Sequence, residues 1–388
     1  MTVLWLATCA PVDKPLSPEH PADRGPAPTA AETLPLPPTP LARGPQERIA
    51  AAIEHVWQRD LLLTHGFWTV FHGILGLGPD VTLRDPNSGM RVNALDYIFG
   101  GGQLRGLVFV PTTYGLDVPW AGAGPVEAFV AQGHQDQFIS EMGQWGTPAD
   151  KKVFVFGKEY TFLDFCNHSK MRASTVAKPG VPKQELSWTV TIVAQYYGTD
   201  HSWVNAHGEE LTLEDLVRYE LDEPIESAAC GGTHRLFGLC WAYHLHLQNG
   251  GQTEGVWKEV ADKMAKYRDI AKKYQNADGS FSTNFFRGPG NATSKETRIN
   301  TTGHILEWLA LTLTDEELKQ EWMQSAANAL ALMILDSQND PVDGGSLYHA
   351  VHGLNIYYTR LYGPLPNRRE PMIPLPPAPA PTPVASGS

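Results

Sequence analysis

Two kinds of helical segment alternate along the chain. One kind is amphipathic, with charged residues recurring on one side, as in a helix that faces solvent. Its segments are 46–63, 162–173, 212–221, 255–275 and 315–338. The other kind is apolar on nearly every side and rich in glycine, histidine and aromatic residues, which is typical of a helix buried all round. Its segments are 65–78, 133–145, 186–197, 231–246, 302–313 and 346–358.

Six buried segments with amphipathic partners predict an all-α fold, an (α/α)6 toroid of six inner and six outer helices. Five buried segments have a clear partner, and residues 125–132 are expected to begin the sixth. Helix pairs that cannot bury their apolar faces alone must stack, and a ring closes the stack. The stretch 80–124 carries β-branched residues and turn signals, so we expect a small β-containing insertion there. Residues 276–300 are expected to form a loop over one mouth of the ring.

Proline-rich segments flank the predicted toroid domain, which spans residues 46–362. Residues 1–45 and 363–388 have too little apolar surface to bury and are predicted to be disordered. The residues that end in Cys9 are similar to a bacterial lipobox, in which Cys9 would carry a lipid that tethers the chain to a membrane. The expected location is then the cell envelope or periplasm. The apolar region is short and lacks a basic start, so an ordinary frayed terminus and a cytoplasmic location are the alternative.

The composition makes nucleic-acid partners, membrane-spanning helices and a disulfide framework unexpected. The formal net charge is −12 and no run of lysine and arginine stands out, so nucleic-acid binding through phosphates is not expected. No apolar run reaches about 18 residues, so no transmembrane helix is expected. The four cysteines show neither a CxxC pair nor a dense framework, so disulfides are not expected to define the fold.

Histidines occur near the start of five predicted inner helices. They are His65, His134, His234, His304 and His349. The inner helices of a toroid run parallel, so their N-termini meet at one mouth, where the helix dipoles favour neutral imidazoles. A neutral imidazole serves as a base or a ligand. A single buried histidine is more often a hydrogen-bonded core residue. Five histidines at matching positions instead indicate a functional site at the mouth of the ring where the helix N-termini meet.

Four residues are predicted to form a catalytic site at this mouth: His234, His304, Glu307 and His349. Glu307 lies three residues after His304, so we expect the two to act as base and orienting acid. His234 or His349 would then handle a second proton. A buried carboxylate that ties two helices together is the alternative interpretation of Glu307.

Further side chains are expected to line the same cavity and bind the ligand. Cys230 lies at a glycine-rich helix start, where its thiol would be a nucleophile, a metal ligand or simply a packed side chain. Trp241, Trp308 and Tyr348 suit stacking on a sugar or contact with an apolar substrate, although aromatic residues are also ordinary core material. His65 and His134 complete the predicted binding set.

The cofactor is left open by the sequence. His304 and His349, together with Cys230 or His234, offer imidazole and thiolate ligands that suit zinc, so a zinc site is one hypothesis.

Short motifs resemble those of terpenoid cyclases, squalene cyclases among them, and protein prenyltransferases. Residues 275–281 resemble the QxxDGS(F/W) repeat, and residues 338–348 look like a stretched second copy. Residues 230–233 resemble the glycine-pair helix start of prenyltransferase β subunits, and residues 347–349 resemble their LYH segment. More weakly, residues 303–308 are similar to the GHxxEW motif of N-acylglucosamine 2-epimerase-type toroids. The resemblance implies an α/α toroid.

The catalytic motifs of these families are absent or altered. No DxDD motif occurs, and Thr302 and His304 stand where the prenyltransferase zinc site would place aspartate and cysteine. Asp278, within the first repeat, is expected to cap a turn.

Two functions follow from these observations. One is an enzyme that acts on a carbohydrate or isoprenoid-like substrate in the toroid cavity, with isomerase or lyase chemistry, so that a small-molecule or saccharide ligand is the expected partner. The other is a non-catalytic binding or scaffold protein tethered to the envelope. A closed centre favours the scaffold, and a pocket lined by the histidines favours the enzyme.

Overall fold

The computed structural model describes residues 44–120, 131–176, 184–337 and 340–376. Thirteen α-helices account for about half of these residues, and the strands are two to four residues long, so the fold is mostly α. None of the described helices combines the length and the hydropathy that a bilayer crossing needs.

Six strongly buried helices form a closed series of contacts. In chain order they are α2 (Phe67–Leu77), α4 (Gln137–Gly143), α6 (Ser187–Tyr196), α8 (Thr233–Gln248), α10 (Lys295–Thr312) and α13 (Gly344–Tyr362). Each helix packs on the next, and α13 packs on α2. All six overlap the segments that are apolar on every side, because such a helix needs apolar neighbours on both flanks. Helix α10 begins seven residues before the predicted start at residue 302.

Six further helices pack on the outside of this series. They are α1 (Pro45–Trp57), α3 (Ala94–Phe99), α5 (Phe162–Arg172), α7 (Leu213–Asp222), α9 (Gly255–Lys273) and α12 (Glu321–Asp336). The one-turn helix α11 (Asp315–Leu318) precedes α12. The sixth outer helix is α3, within the stretch predicted to hold only a β-insertion. The predicted sixth partner, 125–132, lies mostly outside the described residues, and residues 131 and 132 are not helical.

Nine short strands lie in the segments that connect the helices of the described chain. They are β1 (Leu61–Leu62), β2 (Thr82–Arg84), β3 (Arg91–Asn93), β4 (Val110–Thr112), β5 (Gly115–Asp117), β6 (Lys152–Val155), β7 (Lys158–Thr161), β8 (Ser202–Val204) and β9 (Glu210–Thr212). The pairs β2–β3, β4–β5, β6–β7 and β8–β9 are antiparallel, with Val153 opposite Tyr160 and Trp203 opposite Leu211 in the last two, whereas β1 runs parallel to β2. The β structure therefore extends beyond the predicted insertion at 80–124.

Three of these strands lead directly into a helix. β3 runs into α3, β7 into α5 and β9 into α7. Thr161 and Thr212 are the N-caps of α5 and α7, and each forms a capping box with an aspartate three residues later. The reciprocal hydrogen bonds satisfy backbone N–H groups that a helix start leaves free, which fixes where each helix begins.

Two glycines let α10 and α13 approach each other backbone to backbone. A Cβ atom at Gly303 would lie 2.7 Å from the Cα of Ala350, and one at Gly353 would lie 2.8 Å from the backbone nitrogen of Glu307. Both distances are too short for any side chain, so only glycine allows this contact. The close approach sets the separation of the polar side chains that the two helices carry.

Residues 364–376 lie against the helices, although the sequence assigns them to a disordered tail. The Arg368 guanidinium lies 3.6 Å from the centre of the Trp57 ring. The Met372 backbone nitrogen donates to the Gln144 carbonyl oxygen at 2.8 Å. The predicted domain end at residue 362 is therefore too early. The rest of the predicted tail and the N-terminal tether, Cys9 included, lie outside the described residues.

Candidate functional site

A narrow cavity lies where inner helices meet. Five histidines line it: His72 from α2, His134 just before α4, His234 from α8, His304 from α10 and His349 from α13. Its wall also contains Trp68, Asn300 and Ser346, which are partly exposed. The space open to the centre of a water-sized sphere is about 10 Å³. That is room for roughly one water molecule or one ion.

Four fully buried imidazole rings contact one another, and the centre of the His134 ring lies 4.8 Å from that of His234. The ring centres of His304 and His349 are 4.2 Å apart, and His234 lies 5.5 and 5.6 Å from these two. The centre of the His72 ring is 5.3 Å from that of His349. All four side chains are 2% exposed or less. Three inner helices therefore direct one polar group each to the same point, and α2 adds a fourth beside it.

Hydrogen bonds that the Nδ1 atoms donate to backbone carbonyl groups fix the direction of two rings. His72 Nδ1 lies 2.8 Å from the Trp68 carbonyl oxygen, and His304 Nδ1 lies 2.8 Å from the Asn300 carbonyl oxygen. A carbonyl oxygen only accepts, so both Nδ1 atoms donate and each Nε2 atom keeps its lone pair. Burial, and then the neighbouring His349, hold the pKa values of both rings well below the ordinary range. The rings are therefore neutral.

Glu307 orients two histidines of α13. His349 Nδ1 donates to Glu307 Oε2 at 2.8 Å, and His352 Nδ1 donates to Oε1 at 2.6 Å. Burial alone would raise the pKa of Glu307, but the adjacent His349 and His352 outweigh burial and hold it below the ordinary range. The predicted pairing of His304 with Glu307 is not what forms, because the Asn300 carbonyl already holds His304 Nδ1.

Glu185 lies beside the Nδ1 atoms of two further histidines, His134 and His234. His134 Nδ1 lies 2.9 Å from Glu185 Oε2, and His234 Nδ1 lies 3.8 Å from Oε1, which is too far for a hydrogen bond. Among the described residues, neither ring nitrogen of His234 has a hydrogen-bond partner. Burial lowers the pKa of His234 to about 4, so this ring is neutral too.

Glu141 of α4 is a further buried carboxyl group beside the rings. Its Oε1 atom accepts from Gln137 Nε2 at 2.8 Å and lies 3.7 Å from His72 Nε2 and 3.8 Å from His349 Nε2. Its Oε2 atom has no hydrogen-bond partner among the described residues. Burial raises the pKa of Glu141 well above the ordinary range, so the protonated form is favoured.

The structure brings together most of the predicted catalytic residues. His234, His304 and His349 share the cavity, and Glu307 lies behind His349. Their helical positions differ from the expected first turn: His304 is the tenth residue of α10 and His349 the sixth of α13. The polar stretch before residue 302 is already helical, which moves His304 into the third turn.

Four predicted binding residues lie away from the cavity. His65 lies in the turn before α2, where its Nδ1 atom accepts from the Leu62 backbone nitrogen at 3.2 Å. Trp241 stacks on Phe237 in the core. The Trp308 indole donates to the Met264 sulfur at 3.4 Å, and Tyr348 packs on Gly76. The rings of Trp308 and Tyr348 thus contact the neighbouring helices α9 and α2.

Cys230 does line the cavity, in a left-handed backbone conformation with φ of 48°. Its sulfur lies 3.9 Å from His134 Nε2. The predicted roles of Cys230 as nucleophile, metal ligand or packed side chain stay predictions.

Asp278 caps a turn, as expected. Its Oδ1 atom accepts from the Ser280 backbone nitrogen at 3.1 Å, and its other oxygen pairs with Arg298. The QxxDGS-like segment is thus a turn and carries no part of the histidine cavity.

Sequence reasoning missed His72, Glu141 and Glu185. His72 and Glu141 each occupy the interior of a segment that is otherwise apolar. Because an unpaired polar group in such a segment is costly, this placement was the available signal. Glu185 lies in the loop before α6 and offered no comparable pattern.

No family model, curated protein or solved structure matches this chain. The resemblance to terpenoid cyclases, prenyltransferases and sugar epimerases therefore rests on the short motifs alone.

Proposed function

We propose that the chain is an (α/α)6 toroid enzyme whose reaction centre is the histidine cavity. The closed series of contacts from α2 through α13 and back to α2 supports the toroid, because an open stack would leave its first and last helices apart. The outer helices then form the second layer of the ring.

Buried polar atoms without a hydrogen-bond partner are the main observation that supports a reaction centre. Both ring nitrogens of His234 and the Oε2 atom of Glu141 are buried without a hydrogen-bond partner among the described residues. Leaving such a group unpaired costs about 1–3 kcal/mol. A purely structural core would satisfy these atoms or replace them with apolar ones, so we interpret them as kept for a ligand.

The chemistry that fits is proton transfer at one polar group of a substrate. The imidazoles of His234, His304 and His349 face the space where that group would bind, and those of His234 and His304 are neutral. His72 and Glu141 lie next to each other, and a protonated carboxyl beside a neutral imidazole can give and take a proton at near-neutral pH. Proton abstraction next to a carbonyl group, as in an isomerase or lyase, uses this arrangement.

The size of the cavity limits the substrate. A volume of about 10 Å³ admits one functional group and no sugar ring, so the rest of the substrate would remain at the mouth. Trp68 offers an aromatic face there, and Asn300 and Ser346 offer hydrogen bonds. This mouth suits a hydroxylated, saccharide-like molecule better than an isoprenoid, which needs a long apolar cavity.

The small cavity also favours a second candidate, a non-catalytic binding or scaffold protein. Under that function the histidine cluster would be a structural core, and its replacement would change stability alone.

A proton-exchange assay tests the enzyme. The full chain, purified without chelators, is incubated in D₂O with a panel of reducing sugars and their N-acetylated 2-amino forms. Loss of the C2 proton signal by NMR reports abstraction next to the carbonyl group. We expect exchange with at least one sugar, and we expect it to fall at least about 100-fold in His304→Gln and His349→Gln.

His244→Gln is the matched control, because His244 is also buried on an inner helix but binds the Pro374 carbonyl away from the cavity. It should keep full exchange. The melting temperatures of His304→Gln and His349→Gln should stay within about 4 °C of the parent value. Absence of exchange with every sugar, or equal loss in the control, contradicts the proposal and favours the scaffold.

A further inference from the structure

Three of the cavity histidines have the spacing of a ligand set. His234, His304 and His349 come from α8, α10 and α13, and one ring nitrogen of each lies within 4.8 Å of the others. A tetrahedral ion with bonds of about 2.0–2.1 Å holds its nitrogen ligands roughly 3.4 Å apart. Movement of each ring by about 0.8 Å toward the centre would close that difference, which small side-chain rotations achieve.

The Nδ1 atoms of these rings face the kind of acceptor that usually orients a metal-binding histidine. A histidine that binds a metal donates its other N–H to a carboxylate or backbone carbonyl, which fixes the ring. His349 Nδ1 donates to Glu307 and His304 Nδ1 to the Asn300 carbonyl, each at 2.8 Å. His234 Nδ1 faces Glu185 at 3.8 Å. The Nε2 atoms of all three are thus left for the cavity.

His234 supplies independent evidence of a missing partner. It is 2% exposed, lines the cavity, and has no hydrogen-bond partner on either ring nitrogen among the described residues. A ring whose Nε2 atom bound an ion, and whose Nδ1 atom then moved onto Glu185, would satisfy both nitrogens at once.

The charges around the rings also favour a cation. Glu185 and Glu307 lie directly behind them, and in the described part of the chain their ion-pair partners are histidines only, with no lysine or arginine. A positive ion among the rings would add favourable charge close to these two carboxylates.

We infer that the cavity binds one divalent transition-metal ion through the Nε2 atoms of His234, His304 and His349. An imidazole set suits zinc and its neighbours better than magnesium or calcium, which prefer oxygen. Three histidines with one open position are also an arrangement of catalytic zinc. Zinc is therefore the ion that we assign. The ion's catalytic role rests on the proposed function, since it would bind the reacting group, but its presence does not.

Metal content tests this inference directly. The full chain, expressed without a polyhistidine tag, is stripped with a chelator, reloaded with zinc chloride, desalted and measured by elemental analysis. We expect about one zinc ion per chain. His234→Gln, His304→Gln and His349→Gln should each lose it on desalting, whereas the matched control His244→Gln should keep it.

Glu307→Gln gives a graded result, because it leaves the three ligands in place and weakens only the hold on His349. Loss of such a partner lowers metal affinity by roughly 10–100-fold, so this variant should need more zinc to saturate. A Cys230→Ser variant should keep one zinc ion, since the sulfur is not in the ligand set.

X-ray absorption at the zinc edge of the parent protein keeps the inference testable if a variant fails to fold. It should report nitrogen and oxygen ligands at about 2.0–2.1 Å and no sulfur at about 2.3 Å. No saturable zinc uptake by the parent chain, a sulfur ligand, or full metal content in all three histidine variants would overturn the inference.

The two proposals fail separately. Proton exchange that persists in stripped protein supports the enzyme and removes the metal from its mechanism. Stoichiometric zinc without exchange on any sugar keeps the metal site and rejects the proposed reaction.

Discussion

Buried histidines of this protein differ in what their nitrogens face. His244 donates or accepts within the core, with its Nδ1 atom 2.9 Å from the Pro374 carbonyl and the Cys240 sulfur 3.6 Å from its Nε2 atom. His234 has no such partner, although it lies on the same helix, α8. The two imidazoles are equally buried, but only that of His244 has hydrogen-bond partners among the described residues.

His244 should make stability depend on pH. Burial lowers its pKa to about 4 in the folded chain, from the usual 6.5. The unfolded chain therefore binds more protons between these values, so His244 contributes its stability above about pH 6.5 and loses it as pH falls toward 4. The full effect is about 3 kcal/mol. Urea unfolding from pH 7 to 4.5 should show a shallower loss of stability in His244→Gln than in the parent; equal slopes would contradict this.

Glu307→Gln should destabilise the fold even without a ligand. The side-chain amide has one accepting oxygen, so either His349 or His352 would lose the acceptor for its Nδ1 proton. We expect a loss of about 1–3 kcal/mol in the free energy of unfolding, measured with urea.

The control is Glu259→Gln, which removes a carboxylate that pairs with Arg218 at the surface. An exposed pair contributes little, so this change should lower the free energy of unfolding by less than Glu307→Gln does. A larger effect from Glu259→Gln than from Glu307→Gln would show that the buried pairing is not what holds these helices.

At the residue scale, the sequence predicted the histidines but not their partners. Helical spacing placed His304 and Glu307 on neighbouring faces of one helix and suggested a pair. The actual partner of Glu307 comes from α13, since Gly353 lets that helix lie against the Glu307 backbone. Contacts between residues of different helices leave no spacing pattern, so Glu185 and His72 were missed for the same reason.

The contact between α10 and α13 is the packing on which the site depends. These helices carry three of the four predicted catalytic residues, and Gly303 and Gly353 set their separation. A wider separation would draw His349 away from His304 as well as from Glu307.

Gly303→Ala should therefore destabilise the protein, although alanine has the higher helix propensity by about 1 kcal/mol. The added methyl group would lie 2.7 Å from Ala350, and overpacking of this kind costs about 1–3 kcal/mol. Urea unfolding measures the change. Gly44→Ser is the control, because a Cβ atom there meets nothing within 4 Å. A stabilised Gly303→Ala protein would show that the helices separate freely.

At the element scale, apolar character on all sides located the inner helices, but it misplaced the start of α10. Residues 295–301 are polar apart from Ile299, so the apolar pattern excluded them. The structure has Ser294 as the N-cap, with its side chain accepting from the Thr297 backbone nitrogen at 3.2 Å. Capping chemistry marks where a helix begins even when its first turns are exposed, and hydrophobic periodicity does not.

For the whole molecule, the number of buried segments predicted a ring before any contact was known. The contact of α13 with α2 agrees with it. No pattern within either segment indicates that the two meet, because such a contact depends on the summed rotation of all the intervening helices. The folded position of residues 364–376 was likewise missed, because a proline-rich composition predicts a disordered tail even for a segment that packs on the helices.

The proposed envelope tether is a prediction about the whole molecule that depends on Cys9. If Cys9 is lipidated, a Cys9→Ser chain should move from the membrane fraction to the soluble fraction, and incorporation of labelled palmitate should stop. Zinc content should not change, because Cys9 is not among the proposed zinc ligands. Equal fractionation of both chains would point to a cytoplasmic protein.

Contact between the first and last inner helices also sets the order of events during biosynthesis. His72 and His349 touch, yet 349 − 72 = 277 residues of chain separate them. The ribosome makes α2 early and α13 late, so a nascent chain carries His72, His234 and His304 long before their last neighbour exists. The cavity consequently cannot assemble before α13 has been made, and a chain stalled or truncated before α13 holds the other imidazoles without the helix that gathers them.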